Sequence, residues 1–415
     1  MTPRADALSV NGSSTAYPGA VSGRFPWFCT LVLLTTLLAC AGDPGGLRFS
    51  MLGWVLPGAL AFIIVLLNAN RVHWRFFIPW APWVAIVVVY TATSSNETAL
   101  VREPLILTPL VVGLAASTFR VRDRDLEVAF AAFTASALAF LLIFFTRFIF
   151  RPPEFRYYFP GECITALLLA SVFATRYLLK KETSTLLMWG LMCLVPVLTV
   201  ARMNTLAAAL TIPLTLAPFS SRKRALLLVL LAAGAIAVFY TGAFQQKMFF
   251  SGSGTLSDLA SEDSDLSTSG RAALWLVLWE GVSEHLWFGH GANASEPVVQ
   301  ALANLSHPHN DYLRILYEFG VAGLISYLVG TFATIIALLR LVSHSPQHRW
   351  WKYAVASSFV PYLLTMFTDN VITYASYFGN LQFALIGLLV ARTNDQCASA
   401  RVTFASRDQL PTTSS

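Results

Sequence analysis

The sequence predicts an all-α protein that crosses a membrane many times, and three observations carry that prediction. Of 415 residues, 56% are hydrophobic and only 12% are charged, about half the charge of a soluble domain, in which roughly a quarter of residues are charged. Mean hydropathy is +0.61. Apolar runs of roughly 15 to 22 residues recur between short polar breaks, long enough to cross a hydrocarbon layer of about 30 Å as helices. These runs are apolar on every face, which excludes a transmembrane β-barrel, whose strands alternate apolar and polar.

Residues 1–26 are polar and rich in Ser, Gly and Pro, and read as a disordered cytoplasmic tail. The first apolar run leads directly into further spans, so a cleaved secretory signal is not expected. Nine spans follow within 27–243, at 27–42, 50–67, 78–92, 104–119, 128–146, 161–179, 185–201, 204–218 and 225–243. A long connection fills 244–312, three more spans lie within 313–391 at 313–339, 353–371 and 374–391, and 392–415 reads as a second disordered tail. About twelve spans place both termini on one side. If that side is the cytoplasm, 19 of the 28 basic residues face it, as the bias of Lys and Arg toward cytoplasmic loops requires. The net charge of +6 is dispersed through short loops without a basic, aromatic-interleaved stripe, so no nucleic-acid partner is expected. The five cysteines include no CxxC pair, and neither a disulfide framework nor a zinc site is indicated.

The basic residues that break the charge rule are the informative ones. Arg147, Arg151 and Arg156 crowd one outer loop, "TRFIFRPPEFRYYFPGE", and Arg202 stands at the membrane edge in "TVARMNT". A guanidinium donates two parallel hydrogen bonds to a phosphate, so the set is read as an anion-binding group. The competing reading is pairing with lipid headgroups or carboxylates, with Glu162 in reach of Arg156 or Arg202.

The connection 244–312 is expected to hold most of the outer chemistry. It contains "SGSGTLSDLASEDSDLSTSG", in which Asp263-Ser264-Asp265 has the form of a metal-holding DxD. Its Ser/Gly-rich setting favours a solvated hinge, and no metal is expected. Next, "GRAALWLVLWEGVSEHLWFGHG" has an apolar stretch too short to span, so it should lie at the outer interface with Trp275, Trp279 and Trp287 as anchors. Arg271 at its start would aim at phosphates. Gly289 and Gly291 form a turn, and Ser295 followed by Pro297 marks another helix start. Finally "HPHNDYLRILYEFGVAGLISYL" places His309 at a helix entry just outside the membrane, and a histidine, with an unperturbed pKa of about 6.5, exchanges protons near neutral pH.

At these residues the sequence resembles the O-antigen ligase and polymerase superfamily over roughly 150–390. The resemblance rests on the Gly270-Arg271 opening, the Gly289-x-Gly291 turn, and His309-Asn310 followed by Leu313, Glu318 and Gly320. Arg202 matches the family's second basic position, in an Ala-Arg rather than a Ser-Arg context. The resemblance implies a membrane glycosyltransferase of the GT-C type that needs no metal or other cofactor, inverts the anomeric carbon, and works on the periplasmic face of a Gram-negative inner membrane. Its donor would be an undecaprenyl-diphosphate-linked glycan and its acceptor the lipid A-core oligosaccharide. Fixed guanidinium groups stabilise a departing diphosphate, so Arg202 and Arg271 are assigned to catalysis, with Arg147, Arg151 and Arg156 binding substrate. His309 is the candidate base. Glu162, Asn310, Asp311 and Asp369 are further candidates for substrate binding, and an outer carboxylate remains an alternative base.

One large outer loop with the His-Asn signature just before the tenth span favours a ligase over an O-antigen polymerase, for which two substantial arginine-rich loops are expected. A relative that glycosylates protein is a lesser alternative. A transporter or flippase for the lipid-linked glycan would show charged, broken mid-membrane segments and an internal repeat, and neither an intramembrane acidic relay nor a clear repeat is present.

Overall fold

The computed structural model describes residues 25–42, 49–94, 97–152, 159–258, 271–343 and 345–392. The Asp263-Ser264-Asp265 segment, Glu154, Arg156 and nearly all of both predicted tails lie outside them. Among the described residues the architecture is helical throughout, without strands.

The helices are α1 (Phe25–Ala41), α2 (Phe49–Leu67), α3 (Trp74–Thr93), α4 (Glu97–Ala116), α5 (Asp123–Phe150), α6 (Pro160–Lys180), α7 (Thr183–Leu198) and α8 (Arg202–Leu210). They continue with α9 (Ser221–Phe239), α10 (Gly242–Met248), α11 (Arg271–Glu284), α12 (Ser295–Ala303), α13 (Asp311–Arg340) and α14 (Pro346–Thr365). A π-helical turn, Ala375–Gly379, leads into α15 over 380–392.

Among the described residues, five helices are long and apolar enough to cross a membrane, six if the bent pair α9 and α10 counts as one span. The chain is thus a polytopic helical membrane protein, but this criterion does not reach the twelve expected spans. Part of the shortfall is length, because three further apolar helices over 27–41, 51–67 and 183–198 have fewer than eighteen residues. Part is a break. The span expected at 204–218 is the nine-residue α8 followed by turns, and nine helical residues rise only about 13 Å. The span expected at 225–243 turns by 80° at residues 240–241 into α10.

The core gathers around α6, nearly all of whose residues from Gly161 to Thr175 are buried. α6 packs on α7 and α14, and Gly161 at its start lets the Tyr377 ring approach where a Cβ would lie 2.4 Å from it. At the opposite end, Asp123 of α5 accepts both nitrogens of Arg392 at 2.9 and 3.1 Å and the Ser345 hydroxyl at 2.8 Å. That contact joins α5, α14 and α15.

α13 is not continuous. Gly320 has φ 67° and ψ −169°, a conformation essentially confined to glycine. The backbone groups released there are taken up by the segment after α11. His290 N–H donates to Tyr317 O at 2.8 Å and Gly291 N–H to Glu318 O at 2.9 Å, while Val321 and Ala322 N–H donate to Leu286 O and Trp287 O at 2.9 and 3.1 Å. Two glycines permit the crossing. A Cβ on Gly320 would lie 2.4 Å from the backbone of Trp287 and Phe288, and one on Gly289 would lie 2.5 Å from the Glu318 carbonyl. Gly320→Ala therefore combines a forbidden dihedral with backbone overlap and should cost about 3 kcal/mol or more. A thermal melt of the detergent-solubilised protein checks this, and an unchanged Tm would refute the crossing.

The same crossing rests on a buried ionic cluster. Arg314 donates to Glu103 of α4 at 2.8 Å and to Glu318 at 3.1 Å, and all three side chains are at most 4% exposed. Glu318 also accepts the Ser295 hydroxyl at 2.5 Å. Beside it, Arg102 pairs with Glu296 at 2.5 Å, and Glu296 accepts from Asn293 and Thr98. α4, α12 and α13 are thereby locked into one unit.

Candidate active site

The long connection, the start of α13 and the 366–372 turn meet at one end of the bundle. Asn310 caps α13, its Oδ1 accepting the Leu313 N–H at 3.0 Å, the contact that makes Asn a preferred N-cap. The cap fixes the preceding residue, and His309 has φ 53°, a left-handed conformation uncommon outside glycine. His309 N–H donates to Asn370 Oδ1 at 2.9 Å. Its ring Nδ1 lies 3.4 Å from Asp369 Oδ1 and 3.2 Å from Asn370 Nδ2. In the tautomer that donates Nδ1–H to Asp369, the Nε2 lone pair is left to accept a proton, which is the arrangement a general base needs.

Asp311 stands behind this pair rather than in the open. It is fully buried, its N–H donates to Met366 O at 2.8 Å and its Oδ2 accepts the Ile372 N–H at 2.9 Å. It fastens the 366–372 turn, with Asp369 and Asn370, to the start of α13. Arg271 heads α11 and donates to Thr368 O at 2.8 Å, one residue before Asp369.

Arg202 heads α8 and its guanidinium donates to the Met248 sulfur at 3.0 Å. Burial and the nearby Arg271 charge lower its pKa from the ordinary arginine value. The turn before it is strained. Val200 has φ 52°, costly for a β-branched residue, and Lys247 holds the turn by donating to Val200 O at 2.7 Å and Thr199 O at 3.4 Å. Lys247 lies within electrostatic reach of both Arg202 and Arg271. The three cations lie within electrostatic reach of one another and form a positively charged seat.

The remaining candidates border this seat. Arg147 pairs with Glu162, donates to Cys40 O and lies over the Phe159 ring. Arg151 lies over the same ring at 4.8 Å. Glu162 therefore has Arg147 as its partner, where the sequence pointed to Arg156 or Arg202. The next residue, Cys163, contacts the Thr199 hydroxyl at 3.2 Å and lies within electrostatic reach of Lys247 and Asp369. The structure thus brings Arg202, Arg271, His309, Asn310, Asp311 and Asp369 together, with Arg147, Arg151 and Glu162 at their flank. Asn370 was expected beside Asp369 from the sequence, whereas Lys247 joins a set that sequence reasoning built without it. Lys247 carried a usable signal, because it is an outer cation against the positive-inside bias like the arginines.

Residues 187–328 match a family model described as O-antigen ligase. Over these residues, about a third of the chain, it is similar to the O-antigen ligase family. The matched segment runs from α7 into α13, and so includes Arg202, Lys247, Arg271 and His309 but not Asp369. No curated protein sequence matches the chain significantly. The chain is thus a helical membrane protein with a segment similar to the O-antigen ligase family.

Proposed function

We propose that this protein is an O-antigen ligase, transferring a glycan from undecaprenyl diphosphate to the lipid A-core oligosaccharide at the periplasmic face of a Gram-negative inner membrane, with both termini cytoplasmic. The observation that carries the reading is the placing of a cation triad, Arg202, Lys247 and Arg271, beside a histidine whose Nδ1 can be fixed by a carboxylate.

In this mechanism His309 Nε2 takes the proton of an acceptor hydroxyl as its oxygen attacks the anomeric carbon. The bond from that carbon to the diphosphate breaks, and undecaprenyl diphosphate leaves with the electron pair. The negative charge that develops on the leaving oxygen falls on Arg202, Arg271 and Lys247, which are already in place and need no reorganisation. A single displacement inverts the carbon, and no divalent ion is required to neutralise the leaving group. Arg147 and Arg151 extend the cationic surface, while Asp369, Asn370 and Asp311 act by positioning His309.

Arg271→Lys retains the charge but loses the planar fork, and transfer should fall at least about tenfold; turnover close to wild type would return Arg271 to a purely structural role. The deciding experiment is reconstitution with purified protein, undecaprenyl-diphosphate-linked glycan and lipid A-core, with chelator and without nucleotide. Glycan on the lipid A-core supports the ligase reading. Longer lipid-linked glycan without such transfer would replace it with a polymerase, and movement of donor across the bilayer without either product would replace it with a transporter.

A further inference from the structure

The segment that carries His309 has little backbone support of its own. Residues 305–310 form neither helix nor strand, and Pro308 has no N–H to offer. The peptide that joins Pro308 to His309 is instead held at both of its polar groups by side chains. Its N–H donates to Asn370 Oδ1 at 2.9 Å, and its carbonyl, Pro308 O, accepts the Trp275 indole N–H at 2.7 Å. Pro308 is buried, and a buried carbonyl left without its donor is costly. The plane of this peptide fixes the axis about which φ of His309 turns. That φ is 53°, and a non-glycine residue stays in the left-handed region only where its surroundings over-determine it. Trp275, Asn370 and the Asn310 cap do so here.

Trp275 shares a face of α11 with Arg271, one helical turn earlier. The two make parallel contacts. Arg271 holds the carbonyl of Thr368, the residue before Asp369, at 2.8 Å, while Trp275 holds the carbonyl of the residue before His309. The two residues so placed face each other, with Asp369 Oδ1 3.4 Å from His309 Nδ1. One face of one helix therefore fixes both halves of the pair. The Trp275 ring is half-buried against a cluster that includes Leu278 and Leu313, whereas Trp279, one turn later, is 61% exposed. The interfacial anchor expected from the sequence is thus better filled by Trp279. We infer that Trp275 is a positioning residue for the base: through the Pro308–His309 peptide it sets the left-handed turn that lays the His309 ring against Asp369. This rests on the ligase reading given above for the role of His309 as base.

The test is Trp275→Phe in the full-length protein, which keeps an aromatic ring in the cluster and removes the indole N–H. Trp279→Phe is the anchoring control. The transfer assay gives kcat and both KM values. Ring-nitrogen NMR of histidine-labelled protein in liposomes, with the His309 signals assigned by their loss in His309→Ala, reports the tautomer without substrate or turnover. Trp275→Phe should lower kcat about 10- to 100-fold, the cost of a misplaced reacting group, with donor and acceptor KM little changed. The His309 ring should pass from the Nδ1–H tautomer to a mixture. Trp279→Phe should leave both readouts at wild type. Asn370→Ala acts on the same peptide, so adding it to Trp275→Phe should cost less than the product of the two single losses. Wild-type kcat and tautomer in Trp275→Phe overturn the inference. So does an equal loss in Trp279→Phe, which would make anchoring the role of both tryptophans, or a lower kcat with the tautomer unchanged, which would reduce Trp275 to packing. If the tautomer shifts as expected while the wild type moves no glycan to lipid A-core, the positioning role stands and the ligase reading fails; transfer by a Trp275→Phe protein with the wild-type tautomer separates the two in the other direction.

Discussion

Replacing His309 with alanine is expected to lower glycan transfer by about 100- to 10,000-fold, the range over which a positioned base accelerates proton transfer, while the protein remains inserted and folded. The side chain is about one-fifth exposed and its ring is not part of the packed core, so its removal leaves no large cavity. The backbone tie from His309 N–H to Asn370 is kept. Asp369→Asn should cost less, because the ring stays in place but loses the carboxylate that selects the Nδ1–H tautomer. Its signature is a loss in kcat with little change in donor KM. If His309→Ala transferred glycan at the wild-type rate, the base would have to be sought among the outer carboxylates, beginning with Asp369 itself.

The second large effect is on stability. Arg314 lies between Glu103 and Glu318 with no access to water, and removing one partner of a buried charge cluster costs about 3–5 kcal/mol because the charges left behind are uncompensated. Arg314→Met should lower the Tm of the solubilised protein far more than Arg271→Lys does. Combining it with Glu103→Gln and Glu318→Gln should restore much of the loss, since the three neutral side chains leave no unpaired charge. Failure of the triple variant to recover would show that geometry at the Gly320 crossing, rather than charge balance, is what the cluster maintains. This unit lies next to the site and supports it through α13 and through α12 against α11, so the Arg314 variant tests the scaffold and the His309 variant tests the chemistry.

Much of this was legible in the sequence because hydropathy and charge bias are one-dimensional signals. The helical class, the membrane location and the grouping of Arg202, Arg271 and His309 on one face follow from run length and from which loops carry arginine. What was not legible depends on bends and on pairing. In the apolar run at 204–218 the stop of α8 at Leu210 is marked only by Pro213, a weak signal within a long apolar run, since turns inside a packed bundle need not be polar. The sequence offered Arg156 or Arg202 as the partner of Glu162; Arg147 pairs with it because α5 and α6 are consecutive, antiparallel helices whose facing ends bring those two residues together. Asp311 reads from sequence as an outer acid, and its burial becomes visible only once the 366–372 turn is folded over it. The signature residues divide in the same way. His309 and Arg271 face the site, whereas Gly289, Glu318 and Gly320 build the crossing that supports it.

The break in α13 also has a consequence for biogenesis. A span interrupted at Gly320 cannot complete its own hydrogen bonding, so the released groups at Tyr317, Glu318, Val321 and Ala322 stay unpaired until another segment reaches them. That segment, 286–291, is synthesised before α13 and in the proposed topology is already across the membrane when α13 emerges. The order of translation therefore supplies the partner before the need arises. Joined in this way, the loop and the span mature as a single cooperative unit, and the chain cannot present a finished α13 while its outer loop is still undocked.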